Sequence, residues 1–334
     1  MRRGTILVTG AAGFIGSHTV LALWERGFDV VGLDDYSNAE RSLVGRIEAL
    51  GQRTLTMIEG DVRDGDSLAA ALRAPDIVGA IHFAARKSIE ESFLETQSYY
   101  DVNVAGTLAV LQQCQLAGVN ALVFSSSATV YDPAQPAPVN ETGQTLGASP
   151  YGRSKLIGER MLRDAAQAFG RRYAILRYFN PVGAHPSGCI GENPRGRPGN
   201  LMPVVCRVAA GRQSQLSVFG NDYPTIDGTG VRDYVHVQDV AEAHVHALEA
   251  LLDGCEALSL NIGTGRGTSV LTLIDAFERA NGVRVPFAIA PRRQGDVAAM
   301  VANVDQAERS IGWRAKRDLD AMCRDAWRFA QTLA

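Results

Sequence analysis

The 334-residue chain contains no Cys-x-x-Cys pair, no long apolar run and no large excess of charge of either sign. Its five cysteines, Cys114, Cys189, Cys206, Cys255 and Cys323, are odd in number and widely spaced. That usage argues against a disulfide framework or a zinc site and suits reduced thiols in the cytoplasm. No stretch approaches the ~18 uninterrupted apolar residues that span a bilayer, so no membrane association is expected. Two arginines precede a first apolar run that stops at Thr9-Gly10, which reads as a strand and not as a secretory leader. A formal net charge of −3 offers no overall attraction to nucleic acid or anionic surfaces, so any phosphate site must be local. With 46% hydrophobic and 21% charged residues and no biased tract or fixed-period repeat, one or two ordinary globular domains are expected.

What is present is alternation. Short apolar runs (TILVTG, DVVGLDD, TLTMIEGD, IVGAIHFAA, ALVFSSSAT) are separated by longer helical stretches. Near-continuous apolar strands alternating with helices predict an α/β fold, a Rossmann-type doubly wound parallel sheet covered on both faces. After about residue 180 the texture changes: residues 181–230 are rich in Gly and Pro, so long loops dominate. Residues 1–180 are read as a dinucleotide-binding domain, with a possible return of about 231–262 to it. Residues 181–334 are read as a smaller, loop-rich substrate domain.

Gly10, Gly13 and Gly16 follow the first strand and open a helix, the context a phosphate-binding turn requires. A Cβ there would obstruct the turn, the approach of a pyrophosphate or the packing of helix on strand. The helix N-terminus adds partial positive charge. A glycine triplet alone is also compatible with an ordinary turn. Asp34, ending the second strand about 20 residues on, strengthens the case, because a carboxylate there accepts from ribose hydroxyls and repels a 2′-phosphate, favouring NAD over NADP. Asp61, ending the third strand, is placed either to contact adenine or to cap the following helix.

Tyr151 and Lys155 are four residues apart, hence on one face of a helix. Tyrosine is a poor base at its ordinary pKa of about 10. A neighbouring ammonium and an oxidised nicotinamide would both favour the phenolate. Ser127, at the carboxyl end of a strand, can share a hydrogen bond with the reacting oxygen. The ordered set of glycine turn, acid, serine and YxxxK is far more specific than any one of its members.

In these features the chain resembles the extended short-chain dehydrogenase/reductase family and, more narrowly, the UDP-glucose 4-epimerases within it. The resemblance covers nearly the whole length and is carried by GAAGFIGSH, HFAARKS, FSSSATVYD, SPYGRSK, LRYFNPVGAHPSG, NLMP, VFGNDYPTIDGTGVRDYVHVQD and APRRQGD. It implies that NAD is held by Gly10, Gly13, Phe14, Ile15, Gly16, Asp34, Asp35, Asn38, Asp61, Val62, Phe83, Lys87 and Phe179, together with the catalytic set Ser127, Tyr151 and Lys155. It implies a UDP-sugar site lined by Asn180, Asn200, Leu201, Phe219, Arg232, Arg293 and Asp296. A homodimer and a UDP-glucose/UDP-galactose substrate pair follow from the same resemblance.

The expected chemistry is removal of the 4-hydroxyl proton by Tyr151, transfer of the C4 hydride to NAD, rotation of the 4-keto sugar and return of the hydride to the other face. Arg232 and Arg293 suit the anchoring of a diphosphate, since guanidinium groups bind its oxygens in bidentate fashion. The chain departs from the family pattern at Asp132 and Ala85, where glycine is expected. Met300 stands where relatives carry a tyrosine or a small residue, a choice tied in the family to acceptance of an N-acetyl group on C2. A flexible methionine is expected to admit N-acetylated UDP-hexoses, less well than UDP-galactose. A 4,6-dehydratase is disfavoured: its elimination wants an added acid/base pair, and relatives of that type resemble one another in an Asp-Glu after the active-strand serine or threonine, where Ala128 and Thr129 follow Ser127 here. A net reductase and a non-catalytic NAD-binding sensor are also compatible with the glycine turn. His244 and His246 have the wrong spacing for a metal pair on a helix, and NIGTGRGTSV (261–270) lacks the ending of a nucleotide-hydrolase loop and reads as a structural turn.

Overall fold

The computed structural model describes residues 3–196, 199–293 and 295–333. Its first half runs β1 (Thr5–Thr9), α1 (Phe14–Glu25), β2 (Asp29–Asp34), α2 (Ser42–Gly51), β3 (Thr56–Glu59), α3 (Gly65–Leu72) and β4 (Ile77–His82). Next come α4 (Ile89–Leu94), α5 (Thr96–Tyr100), a π turn at Asp101–Ala105 and α6 (Gly106–Leu116). They are followed by β5 (Ala121–Ser127), α7 (Pro150–Phe169) and β6 (Arg172–Tyr178). The second half holds β7 (Asn180–Val182), α8 (Leu201–Ala209), β8 (Leu216–Phe219), β9 (Val231–His236), α9 (Val237–Leu252) and β10 (Ala257–Ile262). It closes with β11 (Gly267–Ser269), α10 (Val270–Asn281), β12 (Phe287–Ala290), β13 (Ala299–Met300), α11 (Asp305–Ile311) and α12 (Leu319–Gln331).

Seven strands form one parallel sheet in the order β10-β6-β5-β4-β1-β2-β3. Every residue of β1 and β5 is buried, as strands covered on both faces must be, whereas the edge strand β3 has exposed ends and no buried residue. On one face α1 and α9 pack Val20, Leu23, Val240 and Leu248 against the sheet; on the other, α6 and α7 contribute Val110 and Leu162. Strand order reverses between β1 and β4, which opens a crevice at the strands' carboxyl ends.

A second core, built on Val205, Leu216, Leu273, Phe277 and Met322, lies among α8, α10 and α12. Beside it, β9 pairs with β7, β11 and β13, and β8 with β12. The stretch 231–262 divides between the two layers. Strand β9 stays in the smaller sheet, while α9 and β10 lie against and within the large one.

Candidate active site

The turn from β1 into α1 is shaped by close backbone approach. Gly10 has φ +70°, and a Cβ there would sit 2.8 Å from the amide nitrogen of Ala84. A Cβ on Gly16 would lie 2.1 Å from the Gly10 carbonyl oxygen, so only glycine lets the helix pack this tightly on the turn. Gly13 caps α1 without a side chain, and the helical ladder starts with Ser17 N donating to Gly13 O at 2.9 Å. The amides of Phe14, Ile15 and Gly16 therefore lack intrahelical acceptors and suit an anion.

Asp34 closes this turn from below. Its carboxylate accepts from Ala12 N and Tyr36 N, both at 2.9 Å. Burial holds its pKa above the usual carboxylate range, against the pull of those two hydrogen bonds. Asp35 accepts from Ser37 N at 2.9 Å, and Asn38 from Arg195 N at 3.2 Å. Asp61 is clasped by Arg63 Nε at 2.9 and 3.0 Å, and this hydrogen bonding lowers its pKa. Of the two roles open to Asp61, capping goes instead to Asp64, which accepts from Asp66 N and Ser67 N at the start of α3. Val62 is buried, Phe83 lays its ring 4.6 Å from that of His244, and Lys87 Nζ donates to Glu192 Oε1 at 2.7 Å.

Tyr151 and Lys155 are set by the start of α7. Ser149 caps the helix by accepting from Gly152 N at 3.0 Å, and Pro150 fills the first helical position, where its missing N–H costs nothing. Both side chains are buried, and Ser127 stands at the end of β5 opposite them. Lys155 Nζ donates to Ser125 O at 2.7 Å and lies 5.1 Å over the Phe124 ring. Burial brings its pKa down to about 7. Burial likewise pushes the Tyr151 phenol up to about 12, with the Ser127 hydroxyl working the other way. Ser127 Oγ is itself fixed by accepting from Thr129 N at 3.2 Å and Thr129 Oγ1 at 3.0 Å. The Lys155 ammonium is bonded to the strand, and burial is the leading influence on both groups. A phenolate near neutral pH needs a further positive charge beside it.

The second half supplies the facing wall. Phe179 is buried with Ala128, Tyr131 and Leu156, and Met300 packs against the same cluster. Asn180 opens β7 and pairs with Tyr234 of β9; two residues earlier on β9, Arg232 pairs in register with Met300 of β13. Arg232 Nη1 donates to Val231 O at 2.8 Å and Val297 O at 2.9 Å, and its Nη2 is 3.7 Å from Asp296. Arg293 Nε donates to Asp296 at 3.0 Å while its guanidinium lies 4.7 Å over the Phe219 ring. Phe219, Arg232, Arg293 and Asp296 are therefore one cluster. Asn200 caps α8 by position, but its side chain donates to Glu192 Oε1 at 2.8 Å instead of closing the helix, whose first residue is Leu201.

Several supporting residues escaped the sequence reading. Asn103, in the π turn, accepts from Arg86 N at 2.8 Å and donates to Ser154 Oγ at 2.9 Å, tying that turn to α7; no motif marks it. Glu159 is fully buried, accepts from Ser126 Oγ at 2.6 Å and from Arg177 at 2.8 and 2.6 Å, and so clamps α7 to β5 and β6. Its spacing, four residues beyond Lys155, was the available signal. Asp233 accepts from Thr264 N at 2.8 Å and Gly265 N at 2.9 Å, so the amides of the NIGTGRGTSV turn are engaged internally. His244 Nδ1 is bonded to Val240 O at 2.8 Å, whereas His246 faces Ile311 O at 3.0 Å. Asp132 accepts from Ala134 N at 2.9 Å, forming a local turn where glycine was expected.

A parallel doubly wound sheet with a glycine turn, an acid after β2 and a Ser-Tyr-Lys set at the end of β5 matches one class of protein, and the chain belongs to the NAD dependent epimerase/dehydratase family, whose pattern covers residues 6–263. It is 50% identical over 327 residues to the UDP-glucose 4-epimerase of Erwinia amylovora, covering 97% of this chain and 96% of that one. The human UDP-glucose 4-epimerase is 47% identical over 332 residues, with 97% and 95% covered. Among solved structures, a UDP-glucose-4-epimerase from Stenotrophomonas maltophila with bound NAD and formylated UDP-arabinopyranose superposes with a TM-score of 0.97 at 49% identity, covering 99% of both chains. The Bifidobacterium longum enzyme in complex with NAD+ and UDP gives 0.93 at 42% identity, covering 98% of both.

Proposed function

We propose that this chain is an NAD-dependent isomerase that interconverts UDP-glucose and UDP-galactose by inverting carbon 4. The observation that carries the reading is the placing of Ser127, Tyr151 and Lys155 together at the end of β5, where ligands of such sheets gather. The glycine turn fits a dinucleotide, since Cβ atoms at Gly10 and Gly16 would strike the Ala84 amide and the Gly10 carbonyl and break the tight turn that presents the helix amides. There Phe14, Ile15 and Gly16 offer amides to the pyrophosphate, and Asp34 and Asp35 offer acceptors to the adenosine ribose. Asn38, Asp61, Val62, Phe83, Lys87 and Phe179 complete that site.

Bound NAD would supply a reversible hydride acceptor for C4 and a pyridinium charge favouring ionised Tyr151. Tyr151 Oη removes the proton of the 4-hydroxyl and later restores it. Ser127 Oγ holds the same oxygen, and the protonated Lys155 favours the phenolate. Arg232 and Arg293 grip the UDP diphosphate, Asp296 orients both guanidinium groups, and Asn180, Asn200, Leu201 and Phe219 line the remainder. With UDP gripped and the hexose held loosely, the 4-keto sugar can turn over before the hydride returns. Hydride removed equals hydride returned, so no net oxidation results.

Met300, beside Arg232, is read as admitting UDP-N-acetylglucosamine and UDP-N-acetylgalactosamine at reduced rate. The division into a dinucleotide half (residues 1–180, joined by α9 and β10 of the stretch 231–262) and a UDP-sugar half (the rest of 181–334) belongs to the same reading. So does a homodimer, supported by the exposed apolar residues Ile89, Phe93 and Leu94 of α4. A cytoplasmic location is supported by free cysteines at all five positions; no helix among the described residues is long and apolar enough to cross a membrane. The test is incubation with UDP-galactose while following both UDP-glucose formation and reduced-nicotinamide absorbance. Conversion without net cofactor change supports the reading, stoichiometric reduction would identify a dehydrogenase, and no reaction would leave a sensor.

A further inference from the structure

Glu192 lies in the Gly/Pro-rich segment after β7, yet its side chain is only 8% exposed. One atom, Oε1, accepts both from Lys87 Nζ at 2.7 Å and from Asn200 Nδ2 at 2.8 Å. Lys87 follows β4, on the dinucleotide side of the crevice, while Asn200 caps α8 on the opposite side. The neighbouring residues reach the loop after β2: Asn193 Nδ2 donates to Glu40 at 3.3 Å, and Arg195 donates to Asn38 Oδ1 at 3.2 Å and to Ser37 O at 3.4 Å. The segment 192–195 therefore spans from the α8 side to two loops of the dinucleotide side, with a largely buried carboxylate at its start. A long, flexible carboxylate is rarely buried in a loop unless its oxygens are needed by specific donors.

We infer that Glu192 is a positioning residue shared by the two ligand sites: a single oxygen aims the Lys87 ammonium at the dinucleotide and the Asn200 amide at the UDP group. The inference rests on the UDP-sugar reading above. Because the shared contact is geometric, what matters is an acceptor oxygen at the right reach, not the negative charge.

The test uses NAD-loaded protein and two ligand readouts: the dissociation constant of UDP by calorimetry and the rate at which bound NAD exchanges for labelled NAD. Glu192→Ala weakens UDP at least about fivefold and speeds NAD exchange by a similar factor, the scale of losing one partner of a charged hydrogen bond. Glu192→Gln, whose amide oxygen still accepts from both donors, recovers most of both losses. Glu192→Asp keeps the charge but falls short of both donors, and behaves like Glu192→Ala; it also serves should the alanine variant fold poorly. Weakening of one ligand only, or of neither, overturns the inference. So does tighter binding of either, which removal of a mere negative charge beside phosphates would produce, or a pattern in which Asp matches the parent and Gln matches Ala. If the parent itself ignores UDP, the UDP-sugar reading fails, and this inference with it.

Discussion

The two anchoring regions of the molecule are built on opposite principles. At the β1–α1 turn, donors are backbone amides held by glycine contacts and by Asp34, which is 8% exposed and already bonded to two amides. Across the crevice, Arg232 and Arg293 have side chains 22% and 50% exposed and engage Asp296. Backbone donors have no rotamer freedom left to lose, so a ligand there is held without ordering cost; long guanidinium side chains must be ordered at each binding event. The first arrangement suits a cofactor that stays, the second a substrate that enters, turns and leaves.

The largest effect that would sharpen this contrast lies between the two regions. Tyr151→Phe is expected to lower kcat by about 10²–10⁴-fold with NAD content unchanged, since proton transfer is removed while the cradle is untouched. Parental turnover in that variant would take the phenol out of the mechanism. Next, Arg293→Ala should raise the KM for UDP-galactose by roughly tenfold with little change in melting temperature, because so exposed an ion pair contributes about 0–1 kcal/mol to stability. Gly16→Ala should do the reverse: its Cβ would meet the Gly10 carbonyl, costing about 1–3 kcal/mol and lowering both melting temperature and NAD content. Equal loss of stability in the two variants would erase the distinction.

Acid should also act on the dinucleotide side first. His18 on α1, His82 on β4 and His244 on α9 are buried, and burial lowers their pKa values to about 3, 3 and 4. In the unfolded chain each takes a proton near pH 6.5. The folded state binds fewer protons than the unfolded below that point, so stability present above pH 6.5 is lost as pH falls toward about 3. A melting temperature that stays level from pH 7 to pH 5 would contradict this. The smallest effect is expected at Met300→Ala, which should improve turnover of UDP-N-acetylgalactosamine relative to UDP-galactose by a few-fold, on the order of 1 kcal/mol for added pocket space. Equal failure of parent and variant on the N-acetylated sugar would remove Met300 as the determinant.

Short-range patterns were legible because their physics is local. The apolar runs foretold the parallel sheet, the glycine spacing foretold the β1–α1 turn, and Tyr151 and Lys155 fell on one helical face as a four-residue interval requires. Recognition of the longer motifs added Phe219, Arg232, Arg293 and Asp296, which the fold gathers into one cluster. The role of Asp61 was open between adenine contact and helix cap, and Asp64, nearer the helix, took the cap of α3.

The amino-acid order alone determined which segments become strands and helices and which residues carry reactive chemistry, since these depend on neighbours a few positions away. Only the tertiary structure decided that Glu192 would meet Lys87 from 105 residues away, that β10 would join the first sheet beside β6, and that Lys155 would rest on the Ser125 carbonyl. It also decided the direction in which the Tyr151 and Lys155 pKa values move, because desolvation is the summed effect of every atom packed around a group, and those atoms come from segments that no local pattern brings together.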